Sequence, residues 1–135
     1  MCTVDQPKAA PQLSVLDGRL AVCRFGPDHE VPHWALESWF FSVTRTPEEL
    51  SIICPEPNVP GGLVCERGWR AMKLEGPLEF SMVGVLASVA GPLAAAGVSI
   101  FTVSTYDTDY VMVKEEQLDL AVDALRTYGH EIARP

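Results

Sequence analysis

The densest group of side chains able to do chemistry is Ser104-Thr105-Tyr106-Asp107-Thr108-Asp109, a polar turn between two strongly β-forming runs. A carboxylate at the mouth of a hairpin, beside hydroxyls, can accept from the three donors of an ammonium group. Asp109 with Thr105 and Thr108 suits that task, and Tyr106 would wall the pocket. Asp107, mid-turn, reads as ordinary turn chemistry. Upstream, Gly84-Val85-Leu86 opens a helix of small residues. The N–H groups and dipole of a helix start favour a carboxylate. The two ends together suit the α-carboxylate and α-ammonium of a free amino acid.

Other constellations are weaker. His29 and His33 stand four apart with Asp28, Glu30 and Glu37 nearby. A shared helical face would be needed to bring the imidazoles together, and Pro27 and Pro32 oppose one. Cys2, Cys23, Cys54 and Cys65 form no CxxC pair, and Cys23 and Cys54 lie in strand-like runs without a neighbouring base, so packing is their expected role. Trp34, Trp39 and Trp69 suit core or interface. There is no GxSxG, P-loop or dinucleotide fingerprint, and Gly61-Gly62 alone carries nothing. The expectation is a chain without catalytic residues, metal or cofactor. A small hydrolase or lyase would require His29, His33 or His130 against a cysteine or carboxylate in a pocket.

The elements that must position these groups fit a globular chain. Its 135 residues suit one ordinary domain or two small ones sharing a core, with 47% hydrophobic and 21% charged residues. A net charge of −8 argues against nucleic acid and against anionic membrane surfaces. No apolar run approaches the ~20 residues of a spanning helix. The start lacks a basic and then apolar signal pattern, so a cytoplasmic protein with free thiols is expected.

Residues 1–12 read as a loose tail. Strands are predicted at Gly18–Phe25, Trp39–Arg45, Leu50–Cys54, Trp69–Leu74, Val98–Thr105 and Tyr110–Val113. A short helical turn is expected around Trp34–Leu36 and another short helix at Gly61–Glu66. Full helices are predicted from Gly84 to Ala96, with Pro92 inside and Gly97 as a left-handed stop, and from Glu115 to a stop at Gly129. Val98–Thr105 is apolar on both sides, which predicts that both its faces are covered, by the helices on one side and by a second sheet or subunit on the other.

The chain also resembles itself. Gly18–Pro27 falls on Gly68–Pro77 at an offset of 50, with four of ten positions identical, and Glu49–Ile53 falls on Asp109–Val113 at an offset of 60. Each copy reads strand, helix, strand, strand, helix. This predicts an α+β fold of two ferredoxin-like units, with antiparallel sheets and helices on one face. The first unit, 13–67, has reduced helices; the second spans 68–133. The site is expected in the second half, because nothing near Pro32 to Ala35 matches the helix start at Gly84.

The segments Trp69–Phe80, Gly84–Ser88, Pro92–Ala94, Ala96–Phe101 and Ser104–Val113 resemble small bacterial proteins with two tandem ACT domains. So do Trp34-Ala35, Ser42–Pro47 and Glu49–Ser51 in the first half. The group is similar to the CASTOR arginine sensors of animals. The resemblance implies a βαββαβ fold in each unit and regulation by a free amino acid bound at an ACT–ACT interface, in a homodimer. Carried across by motif, the binding residues are Gly84, Val85, Leu86, Thr105, Tyr106, Thr108 and Asp109. A guanidinium ligand would call for a carboxylate fork, where the loop before the helix offers Met82 and, further back, Glu79. The alternative is a protein-interaction module with no small-molecule ligand.

Overall fold

The computed structural model describes residues 11–75 and 84–135. Cys2, most of the expected tail, the Gly76-Pro77 turn, Glu79 and Met82 lie outside the described residues. The chain forms two compact units, one of residues 18–70 and one of residues 1–17 and 71–135.

The 18–70 unit has sheet order β3–β4–β2–β5, all antiparallel. Its strands are β2 (Leu20–Phe25), β3 (Ser42–Arg45), β4 (Leu50–Pro55) and the first part of β5 (Cys65–Leu74). The short helix α1 (His33–Leu36) follows Pro32, whose fixed φ suits a helix start. It stops after one turn because its carbonyls are taken by side chains: Ser38 Oγ donates to Ala35 O, and Asn58 Nδ2 donates to Trp34 O and Glu37 O. Ala21, Cys23, Ala35, Leu50, Ile52, Cys54 and Val59 form its core. Two expectations fail here. Trp39–Phe41 are outside the strand, which begins at Ser42, and the helix expected at Gly61–Glu66 is turn followed by β5. Gly62, at φ 82°, takes a left-handed conformation that breaks a helix. The helical turn sits earlier, at Glu56–Asn58, where Pro57 is at a helix's second position.

The other unit contains the end of β5, α2 (Val85–Ala95), β6 (Ile100–Ser104), β7 (Asp109–Lys114), α3 (Leu118–Thr127), β8 (Ile132–Ala133) and β1 (Leu13–Val15). β7 pairs with β5 and β6, and β1 lies between β5 and β8. Thus Leu13-Ser14-Val15, assigned by sequence to the first unit, pairs antiparallel with Met72–Leu74 and parallel with β8. The β1/β8 pair is parallel. Two and three residues are too few to show a period, which is why neither strand is visible in the sequence.

Both long helices end in the same way. The Val98 amide donates to Leu93 O and Gly97 to Ala94 O; His130 donates to Leu125 O and Gly129 to Arg126 O. Gly97 and Gly129 sit at φ 77° and 96°, the left-handed stop in which the chain reverses and its next residue turns inward. Val98 and His130 are those next residues, and both are buried. The core joins Val85, Val89 and Leu93 of α2, Ala121, Val122 and Leu125 of α3, and Met72, Leu74, Val111 and Val113 of the sheet. Two-sided burial falls on β7, where Val111, Met112 and Val113 are fully buried, and not on β6, whose Ile100, Phe101 and Val103 are half-buried. β7 is flanked by strands on both edges, whereas β6 pairs only with β7 among the described strands.

Candidate functional site

The hairpin β6–β7 is built by its own hydroxyls. The Thr105 amide donates to Thr108 O at 2.8 Å, the Thr105 hydroxyl donates to the same oxygen at 3.0 Å, and the Thr108 amide donates back to Thr105 Oγ1 at 3.2 Å. Threonine at this place closes the turn by replacing backbone partners with its side chain. Thr108 is 5% exposed, and its hydroxyl donates to Leu74 O at 2.5 Å. That bond pins the turn to the end of β5, from which the chain runs on towards α2.

At the mouth of the hairpin Ser104 and Asp109 are cross-strand partners, and the Ser104 hydroxyl donates to Asp109 Oδ1 at 2.5 Å. Asp109 is half-buried, so its second oxygen and remaining lone pairs define an acceptor at a partly desolvated position. Asp109 is therefore brought against Ser104, which the sequence reading left out of the site, while the Thr105 hydroxyl is engaged with Thr108. A serine directly across the strand from an aspartate is visible only once the register is known. Tyr106, 82% exposed, stands at the tip.

The helix start lies on another element of the same unit. Gly84 is the N-cap of α2 at φ 80°, has no side-chain cap, and accepts from the Ser88 amide at 2.9 Å. The first turn has no acidic residue to compensate its dipole. Val85 and Leu86 turn their side chains to the core, so only their amides are available for recognition.

The hairpins of the two units correspond closely and correct the expected repeat. Thr46 and Glu49 repeat the bonds of Thr105 and Thr108: amide to carbonyl at 2.9 Å, and the Glu49 amide back to Thr46 Oγ1 at 3.2 Å. The offset is therefore 59 here and not 60. The counterpart of Asp109 is Leu50, fully buried, and not Glu49. A slip of one residue turns every side chain to the other face, so a correct pairing of faces decides the offset. The carboxylate at the hairpin mouth belongs to one unit alone.

The 18–70 unit contains an open pocket of about 330 Å³ lined by Phe25, His29, Trp34 and Leu63 among others. His29 stacks on Phe25 at 4.5 Å, and its Nδ1 lies 2.7 Å from Glu30 O. His29 and His33 are thus on a loop and at the start of α1, and no group of three or more His, Cys, Asp or Glu among the described residues is placed to hold a metal ion. Burial, reinforced by neighbouring Cys54 and Cys65, pushes the Cys23 thiol from 9.0 up to about 12. Burial raises Cys54 as well, followed by the effect of Cys65. No described helix is long and apolar enough to cross a membrane.

The chain is similar to known proteins. A family model described as ACT domain matches residues 64–127, and a second, described as an N-terminal domain, matches residues 18–62. Over 59 residues the chain is 39% identical to the cytosolic arginine sensor for mTORC1 subunit 1 of Rattus norvegicus, a match spanning 43% of this chain and 18% of that protein. The crystal structure of protein Atu0741 from Agobacterium tumefaciens is 34% identical, with a TM-score of 0.87 over 93% of both chains. The ligand-free regulatory subunit of aspartate kinase from Thermus thermophilus is 13% identical and has the same fold, with a TM-score of 0.64 over 89% of this chain and 99% of that one.

Proposed function

The chain belongs to the ACT-domain family and is related to the cytosolic arginine sensors, and from that premise we propose that it is a regulatory protein, not an enzyme, that binds a free amino acid. The observation that carries the reading is the half-buried Asp109 at the hairpin mouth, held by Ser104 beside Thr105. In this reading Asp109 and Thr105 receive the ligand's ammonium, and the Gly84, Val85 and Leu86 amides receive its carboxylate. Tyr106 covers the ligand. Thr108 holds the turn in place through Leu74.

The ligand sits facing another ACT unit, in a homodimer, and shifts the equilibrium between two packings of the units. The name of the Rattus relative supports both amino-acid binding and a cytoplasmic setting. The aspartate kinase regulatory subunit supports a regulatory use of the same fold.

A thermal-shift screen of the twenty amino acids is the direct experiment. A ligand present at 100 times its Kd adds ~2.7 kcal/mol and raises the midpoint by several degrees. Asp109→Ala should keep the fold and lose the shift. No response to any amino acid or close analogue would refute the reading.

A second reading, a protein-interaction module without a small ligand, draws on the exposed Leu36, Trp39, Phe41 and Val43 in the other unit. Exposed apolar side chains that gather into one patch mark contact surfaces, and these four fall within eight residues of sequence. It predicts an unchanged midpoint in the screen, together with loss of a protein partner in a Trp39→Ser variant.

A further inference from the structure

Three thiols meet on the sheet of the 18–70 unit. Cys23 on β2 and Cys65 on β5 are Cα partners, and Cys54 on β4 lies two residues from Ile52, which is opposite Cys23. The Arg24 amide donates to Val64 O at 3.0 Å. Arg24 and Val64 are thus a hydrogen-bonded pair, which makes the adjacent Cys23/Cys65 a non-hydrogen-bonded one. Such pairs bring Cα atoms to about 4.5 Å, inside the ~4.4–6.8 Å range of disulfides. The Cys65 thiol is among the groups that raise the Cys23 pKa, after burial and Cys54. Cys54 is a diagonal neighbour of Cys23, at about 7–8 Å by Cα, too far to bridge without backbone movement. All three are free cysteines.

We propose that Cys23 and Cys65 are an oxidative modification site, closing to a cross-strand disulfide between β2 and β5 on reaction with a small-molecule disulfide such as oxidised glutathione. Cys65 is half-buried and Cys23 fully buried, so Cys65 meets the oxidant. Its thiolate attacks one sulfur of the oxidant, forms a mixed disulfide and expels one small thiolate. Cys23 gives up its proton and attacks the Cys65 sulfur, which forms the protein disulfide and expels the second small thiolate. The protein loses two protons and two electrons, and the oxidant takes them up and leaves as two thiols. Because burial disfavours the Cys23 thiolate, the second step is the slow one and the mixed disulfide is the species that builds up first.

The experiment incubates full-length Cys2→Ser protein with oxidised glutathione under native conditions and follows intact mass without reductant. A single glutathione adduct should appear first and then give way to a species lacking two hydrogens, reversed by dithiothreitol. Trypsin should yield Leu20–Arg24 joined to Thr46–Arg67. The second peptide holds both Cys54 and Cys65, so fragmentation of the linked peptides must place the bond on Cys65. A Cys54→Ser variant should keep the link and a Cys65→Ser variant should lose it. A bond on Cys54, a link that persists in Cys65→Ser, or an adduct that never closes in folded protein overturns the proposal.

Discussion

His130 offers the sharpest test of how this fold is held. It is 4% exposed, and its two ring nitrogens face two backbone carbonyls, Pro11 O at 2.8 Å and Ser88 O at 2.9 Å. Ser88 O is without its normal helical donor because the residue four positions on is Pro92, which has no N–H. His130 fills that vacancy. A neutral imidazole has one N–H and serves one carbonyl at a time, whereas an imidazolium serves both. His130→Ala strips at least one buried carbonyl, at ~1–3 kcal/mol each, and also leaves a void, so a total of about 2–4 kcal/mol is expected. For a chain of this length that lowers Tm by roughly 10 °C. The decisive measurement is a double-mutant cycle with Pro92→Ala, which returns an amide to Ser88 O. In that background His130→Ala should cost about 1 kcal/mol less, by chemical denaturation with each variant's slope checked. Costs that simply add, within about 0.5 kcal/mol, would show that His130 does not serve the carbonyl that proline freed.

Other perturbations probe the hairpin and the thiols. Thr108→Val keeps the shape but takes the hydroxyl donor from Leu74 O, so thermal denaturation should show a loss of about 1–3 kcal/mol, whereas Tyr106→Ala, at the exposed tip, should stay within about 0.5 kcal/mol. Cys23 has a folded pKa near 12 against an ordinary 9.0. Its contribution is fully present below pH 9 and is lost as pH rises towards 12, because the unfolded chain releases the proton first. Between those limits stability should fall by up to ~1.4 kcal/mol per pH unit from this group, and Cys23→Ala should flatten the alkaline slope in denaturant titrations. Thiol reagents should label Cys65 before Cys23 and Cys54; equal rates in native protein would contradict the buried positions.

The family and the longer elements are legible in the chain because their signals are local. The spacing of Leu86, Val89, Leu93 and Ala96 marks α2, Gly97 and Gly129 mark two helix ends, and the β-forming run Leu50 to Cys54 marks β4. The polar run from Ser104 to Asp109 was recognisable as a hairpin with a carboxylate at its mouth. What it lacked was register. Only the folded chain shows that Ser104 faces Asp109, that Thr108 spends its hydroxyl on Leu74, and that Leu50 takes the place of Asp109 in the other unit.

The remaining features are decided by contacts distant in sequence. Leu13-Ser14-Val15 has no period of its own and becomes a strand because β5 and β8 offer it edges. β7, not β6, carries the fully buried run, and only the fold shows which of the two strands lies inside the sheet. Cys23 and Cys65 are forty-two positions apart and become neighbours through strand pairing alone. Residue types and spacing determine which segments can be helix, strand or turn; which partner each edge, carbonyl and thiol meets is settled only when the chain closes on itself, since hydrogen bonding and burial are satisfied by neighbours in space.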